Sequence, residues 1–199
     1  MIEEGNVKNM KKFVLYSLCA LLFVIMMYYF SKWNFVLFHL IIENITLLIG
    51  LTIFIISLLS RKLVKSNFTT TIGPGILVAT IIIFLHALMY KGMNIIGQYD
   101  SDLPTQLWII ANYIQASAFL VGAIFVNRKY NYKITMTSFL IVGVTFTTLA
   151  FARVFPSCFI EGEGLTLFKI ISEYLIIFIY LLAIYVLNKK RVYIGNSFT

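Results

Sequence analysis

Six apolar runs, each long enough to cross a bilayer, leave this chain few other ways to fold. They cover roughly Phe13–Phe30, Phe35–Leu59, Ile72–Tyr90, Pro104–Val126, Ile134–Arg153 and Leu165–Leu187. At a rise of about 1.5 Å per residue, each approaches or exceeds a hydrocarbon core of about 30 Å. Water is absent there, so a spanning segment must satisfy its backbone within itself, as a helix does. The expected fold is all-α, a six-helix transmembrane bundle. Charged residues make up only 12% of the chain, about half the share usual in soluble domains. At 199 residues there is room for one such bundle and no second core.

The cations set the expected orientation. Three precede the first run (Lys8, Lys11, Lys12), three follow the second (Arg61, Lys62, Lys65), three follow the fourth (Arg128, Lys129, Lys133) and three follow the sixth (Lys189, Lys190, Arg191). Only Lys32, Lys91, Arg153 and Lys169 fall on the other side. The positive-inside rule then places both termini in the cytoplasm, which an even number of spans also requires. Residues 1–12 are expected to form a cytoplasmic N-terminal segment, 13–187 the six-span domain, and 188–199 a basic cytoplasmic tail. The net charge of +8 therefore belongs to membrane topology, and no nucleic-acid partner is expected. The first run lacks a small-x-small cleavage site and reads as a retained helix. Cys19 and Cys158 lie far apart in this topology and form neither a disulfide nor a zinc motif.

The polar residues inside the runs carry the functional signal. On the second helix, His39 lies roughly 6 Å and Glu43 roughly 12 Å below the outer boundary, at 1.5 Å per residue. His86 lies about one turn from the outer end of the third helix. Thr105, Trp108, Asn112 and Gln115 share one face of the fourth helix. Lys169 and Glu173 open the sixth. His39, Glu43, His86, Asn112, Lys169 and Glu173 fall in the outer half, whereas inner stretches such as Ile53-Phe54-Ile55-Ile56 are purely apolar. Ionisable groups at such depth are costly, and by default they mark function. A shared polar cavity in the outer half is therefore expected. Each group also has a plain structural use. Lys169 and Glu173 can pair along one helix face, the amides of Asn112 and Gln115 can join helices, and a membrane histidine can bond a backbone carbonyl.

Two imidazoles and a carboxylate suit a transition metal, so His39, His86 and Glu43 are candidate ligands. A haem held between two histidines is a second option. There is no His-Glu-x-x-His run, no Gly-x-Ser-x-Gly elbow and no phosphate loop, so the chain is not expected to be an enzyme.

Several strings also resemble a known family. They are Phe38-His39-x-x-x-Glu43, His86-Ala87-Leu88-Met89-Tyr90-Lys91-Gly92-Met93, Thr105-Gln106-Leu107-Trp108-Ile109, Phe155-Pro156-Ser157-Cys158 and Gly164-Leu165-Thr166-x-Phe168-Lys169-x-x-Ser172-Glu173-Tyr174. In this order, over about three quarters of the chain, they resemble the third class of membrane-associated sensor (MASE) domains. The resemblance implies a multi-span sensor in the plasma membrane of a bacterium or archaeon. It also implies a cytoplasmic output module or partner of the PAS, histidine-kinase or diguanylate-cyclase type. Where family members often carry Arg-Tyr-x-Glu, this chain has Asn112-Tyr113-Ile114-Gln115, with both charges replaced by amides.

The combined reading is a sensory module that binds a ligand or cofactor in the outer cavity and relays its state through the sixth helix. The candidate ligand-binding set is His39, Glu43, His86, Tyr90, Gln106, Trp108, Asn112, Lys169 and Glu173. Alternatives are a metal- or haem-binding redox protein and a membrane-embedded enzyme acting on lipids. A transporter finds little support, since no inverted repeat or broken helix pair is present. A homodimer is expected to use Ala118 and Gly122 as a small-residue contact.

Overall fold

The computed structural model describes residues 2–63, 67–93, 95–96 and 100–190, without the side chains of residues 2–9, 11, 62 and 63. Six helices follow in order: α1 (Ile2–Trp33), α2 (Phe35–Leu63), α3 (Asn67–Met89), α4 (Asp102–Phe125), α5 (Tyr132–Phe151) and α6 (Leu167–Lys189). All six are long and apolar enough to cross a membrane, as expected. Between α5 and α6 lies a short antiparallel hairpin, β1 (Phe159–Ile160) with β2 (Gly164–Leu165).

Several boundaries differ from those expected. α1 begins at Ile2, so the expected N-terminal segment is helical. α3 begins at Asn67, which puts Gly73-Pro74-Gly75 inside the helix rather than at its start. Helix α5 ends before Arg153, which adopts a left-handed conformation (φ 59°). The Arg153 and Val154 amides bond back to the carbonyls of Ala150 and Leu149. This is a Schellman termination with arginine where glycine is usual. Residues 164–165 belong to the hairpin, and α6 starts only after its cap, Thr166. Of the expected basic tail, residues 191–199 lie outside the described residues, as does Lys65.

The chain divides into two compact units, Met1–Ile42 and Glu43–Thr199. In the first, Asn34 alone separates α1 from α2, and its side chain accepts the Leu37 amide to cap α2. Phe30 stacks on Trp33 and meets Phe38 edge-on. In the second unit α3 and α4 form the buried pair, and α5 and α6 pack on them. Leu103, Leu107, Ile109 and Ala111 of α4 are essentially inaccessible. Small residues permit this close approach. A Cβ on Gly75 would sit 2.4 Å from that of Ala118, and one on Gly122 would sit 2.5 Å from Ile72. The Ala118/Gly122 pair thus seats α4 on α3 within one chain. That corrects the expected dimer contact, because these residues are covered internally.

The meeting of α2 with α3 follows the same logic. The fully buried positions of α2 include Glu43, Gly50 and Ser57, spaced by seven. This is the repeat of a narrow antiparallel seam. A Cβ on Gly50 would lie 2.1 Å from Thr80 Oγ1, and Gly73 is equally close to Ser57. Pro74 has no amide hydrogen, so it leaves the Thr70 carbonyl without its usual intrahelical donor. The Ser57 hydroxyl donates to that carbonyl at 3.3 Å. In a lipid environment such replacement is what makes an intrahelical proline tolerable.

Candidate functional site

The seven-residue seam of α2 places its outermost buried member, Glu43, opposite His86 near the end of α3. Glu43 Oε1 lies 3.6 Å from His86 Nε2, and both side chains are more than nine-tenths buried. The other ring nitrogen, Nδ1, is 2.7 Å from the Pro104 carbonyl on the first turn of α4. A carbonyl can only accept, so Nδ1 carries the proton there. In neutral imidazole Nε2 then presents its lone pair to a carboxylate oxygen. Two acceptors at that distance attract only through a cation between them, either a proton or a metal ion. For tetrahedral coordination with bonds of about 2.0–2.1 Å, ligand atoms sit about 3.4 Å apart. The observed gap is close to that spacing. Metal-binding histidines usually donate their second N–H to a carbonyl or carboxylate, which is the role of Pro104 here.

His39 lies one turn before Glu43 on the continuous α2, half-buried, with its ring stacked on Phe35. Tyr90, just past α3, brings its ring to 6.4 Å from that of His86.

The remaining expected site residues form separate groups. On α6, Lys169 is buried, pairs with Glu173, and places its ammonium 4.4 Å from the centre of the Trp108 ring. Thr105, Trp108, Asn112 and Gln115 do share a half-buried face of α4. Asn112 donates its amide to the Trp108 carbonyl of its own helix. Gln106 is almost wholly buried, and its amide nitrogen faces Asp102, Phe155 O and Pro156 O. A cavity of about 690 Å³ lies elsewhere, on the α4–α5 face, and none of the nine candidate residues lines it.

The hairpin over this end of the unit is held by residues outside that candidate set. Asp102 Oδ1 accepts the amides of Cys158 (2.6 Å) and Phe159 (2.9 Å). Thr166 caps α6 by accepting the Lys169 amide and donates its hydroxyl to Ser157 O. Glu161 accepts from Lys91 and from the Ser101 amide and hydroxyl. Arg153 pairs with Asp100 at 2.9 Å. The Lys91 and Ser101 bonds hold the Glu161 carboxyl below its ordinary value. Burial works against Asp100, but Arg153 and the Leu103 and Asp102 amides outweigh it and hold that carboxyl low too. Burial, aided by the Asp102 charge, pushes the Cys158 thiol up to about 12. A clue in the sequence was the pair Gly162 and Gly164, both at positive φ, bracketing an acidic turn.

The family model described as "Membrane-associated sensor domain" (MASE3) matches residues 30–199. No curated protein and no solved structure matches the chain. The match takes in α2 to α6, the hairpin and every candidate site residue, and the chain belongs to the MASE3 family of membrane-associated sensor domains.

Proposed function

We propose that the receptor centre of this sensor domain is the Glu43–His86 pair, and that it takes a divalent transition-metal ion of the zinc or copper class. The observation that carries this is the wiring of His86. Its Nδ1–H is committed to Pro104, and its Nε2 lone pair faces the buried Glu43 carboxylate at 3.6 Å. An ion there neutralises a carboxylate that is otherwise expensive to bury. Imidazole and carboxylate together suit these metals. The sequence offers His39, four residues before Glu43, as a further donor. A bare ion fits better than haem, because the Gly50–Thr80 contact draws α2 and α3 too close for a porphyrin plane.

The signal in this reading travels through α4. Pro104 ties His86 to the first turn of α4, Asp102 ties that turn to the hairpin, and Thr166 ties the hairpin to α6. Ion binding shifts the balance between two packings only if it favours one of them. The output is a cytoplasmic partner or module of the PAS, kinase or cyclase type in a prokaryotic plasma membrane, with both termini inside. The chain itself acts as a receptor and not as an enzyme.

The test is elemental analysis and an absorption spectrum on detergent-purified protein, followed by titration with zinc and copper. The expected result is one ion per chain, lost in Glu43→Gln and in His86→Ala, with helix content retained. An ion-free protein that binds neither metal better than the double variant would defeat the proposal. A Soret band would replace the bare ion with haem.

A further inference from the structure

We infer that the second unit holds one anionic phospholipid, with an acyl chain in the α4–α5 slot and its headgroup at the basic turn between those helices. The slot is the 690 Å³ cavity. It runs along α5 from Ile134 to Phe146, about 18 Å at 1.5 Å per residue. One leaflet of hydrocarbon is about 15 Å deep, half of a core of about 30 Å, so the slot matches a single acyl chain in length.

The two ends of the slot differ. At the hairpin end, Phe146, Phe155 and Phe168 close it with two edge-to-face contacts, at 6.3 and 5.7 Å between ring centres. At the other end it is lined by the hydroxyl side chains of Thr135 and Ser138, beside the turn that joins α4 to α5. That turn and its flanks carry exposed Arg128, Lys129 and Lys133. Arg61 lies over the Tyr132 ring at 3.8 Å, and Lys190 caps the last carbonyls of α4. The described carboxylates of this unit are Glu43, Asp100, Asp102, Glu161, Glu163 and Glu173. All lie toward the hairpin end or in the first half of α2. The cations at the turn therefore face one another without acidic neighbours among the described residues. Lys190 responds to this, since burial and the nearby Arg128 charge depress its pKa. A phosphate with its tail in the slot supplies the missing anion, and basic clusters beside membrane helices attract anionic lipid in this way.

The test uses the full chain reconstituted in vesicles of phosphatidylcholine with a minority of phosphatidylglycerol. It is then extracted in mild detergent, and retained lipid is quantified by mass spectrometry. The expected result is about one retained lipid per chain, enriched in phosphatidylglycerol. Val142→Trp on the slot wall and Ser117→Phe on its floor each cut retention at least tenfold. Replacing Arg128, Lys129 and Lys133 by glutamine keeps a lipid but weakens the anionic preference about fivefold per cation removed. The inference is overturned by wild-type protein that retains both lipids in bulk proportion. It is equally overturned by undiminished retention in a slot variant that circular dichroism shows to be folded. If one slot variant fails to fold, the other and the surface triple variant decide.

Discussion

A single methyl group should uncouple the α2–α3 seam without touching any candidate ligand. In Gly50→Ala the new Cβ would lie 2.1 Å from Thr80 Oγ1, 3.2 Å from Thr80 Cβ and 3.3 Å from its Cγ2. Ordinary carbon contacts sit at about 3.5–4.0 Å, so the helices must part by about 1.5 Å or Thr80 must turn away. Turning away gives up its hydrogen bond to Ile76 O. Overpacking of this kind costs about 1–3 kcal/mol. Alanine regains about 1 kcal/mol of helix propensity over glycine, which leaves a net loss of up to about 2 kcal/mol. Glu43 lies seven residues along the same seam, about 10 Å away, so its 3.6 Å approach to His86 should widen as well. Denaturant unfolding in detergent reads the first effect, and a zinc competition assay reads the second, with a loss of about tenfold or more expected. Thr80→Ala removes Oγ1 and Cγ2, leaves only the milder 3.2 Å contact with Cβ, and should restore most of both in the double variant, a coupling of about 1–2 kcal/mol. If Gly50→Ala unfolds with the wild type, or if Thr80→Ala fails to rescue it, the close approach of α2 and α3 is not what positions the pair.

The same contacts lead to other expected outcomes. Asp102→Ala removes two charge-assisted bonds to the hairpin and should cost about 3 kcal/mol, read as faster hydrogen exchange at Cys158 and Phe159 with little change in α1. In a Cys19→Ser background, Cys158 should react with a small alkylating agent at pH 8 roughly a thousandfold more slowly than an ordinary thiol, given a pKa near 12. An unhindered rate would mean that its burial is wrong. Asp100 and Glu161 have folded pKa values below their unfolded ones, so the stability they contribute is complete above about pH 5. It is lost as pH falls through the depressed values. Hairpin amides, corrected for intrinsic exchange, should therefore be protected at pH 6 and open at pH 3, and equal protection at both would contradict the two pairings. His39→Ala should weaken zinc binding while leaving the unfolding midpoint nearly unchanged, whereas a large drop in midpoint would make it a packing residue.

The spans were legible because apolar length is the quantity that a bilayer selects, and six runs of it appear as six helices. Interiors of the spans were harder to read. The seam of α2 is built from Glu43, Gly50 and Ser57, so a search for apolar stripes passes over it. The Ala118/Gly122 motif was visible, but small residues serve contacts within a chain as readily as between chains, and only the positions of Gly75 and Ile72 tell the two apart. Depth along the membrane grouped Glu43 and His86 with Lys169 and Glu173. Depth carries no information about rotation around each helix axis, and the structure sorts them into separate sets. Asp102 was passed over because a carboxylate at a helix start reads as surface until the amides of a distant hairpin are seen to converge on it.

The cap at Thr166 makes α6 a lever. Its first turn is pinned to the hairpin by the Thr166 hydroxyl on Ser157 and the Thr166 amide on Cys158 O. The 23 residues beyond make an arm of about 34 Å. A tilt of only about 3° at the pinned end swings the Lys189 end by nearly 2 Å over that length. In the proposed relay, an adjustment near the hairpin no larger than a bond length would therefore load the far end, where Lys190 holds the last carbonyls of α4.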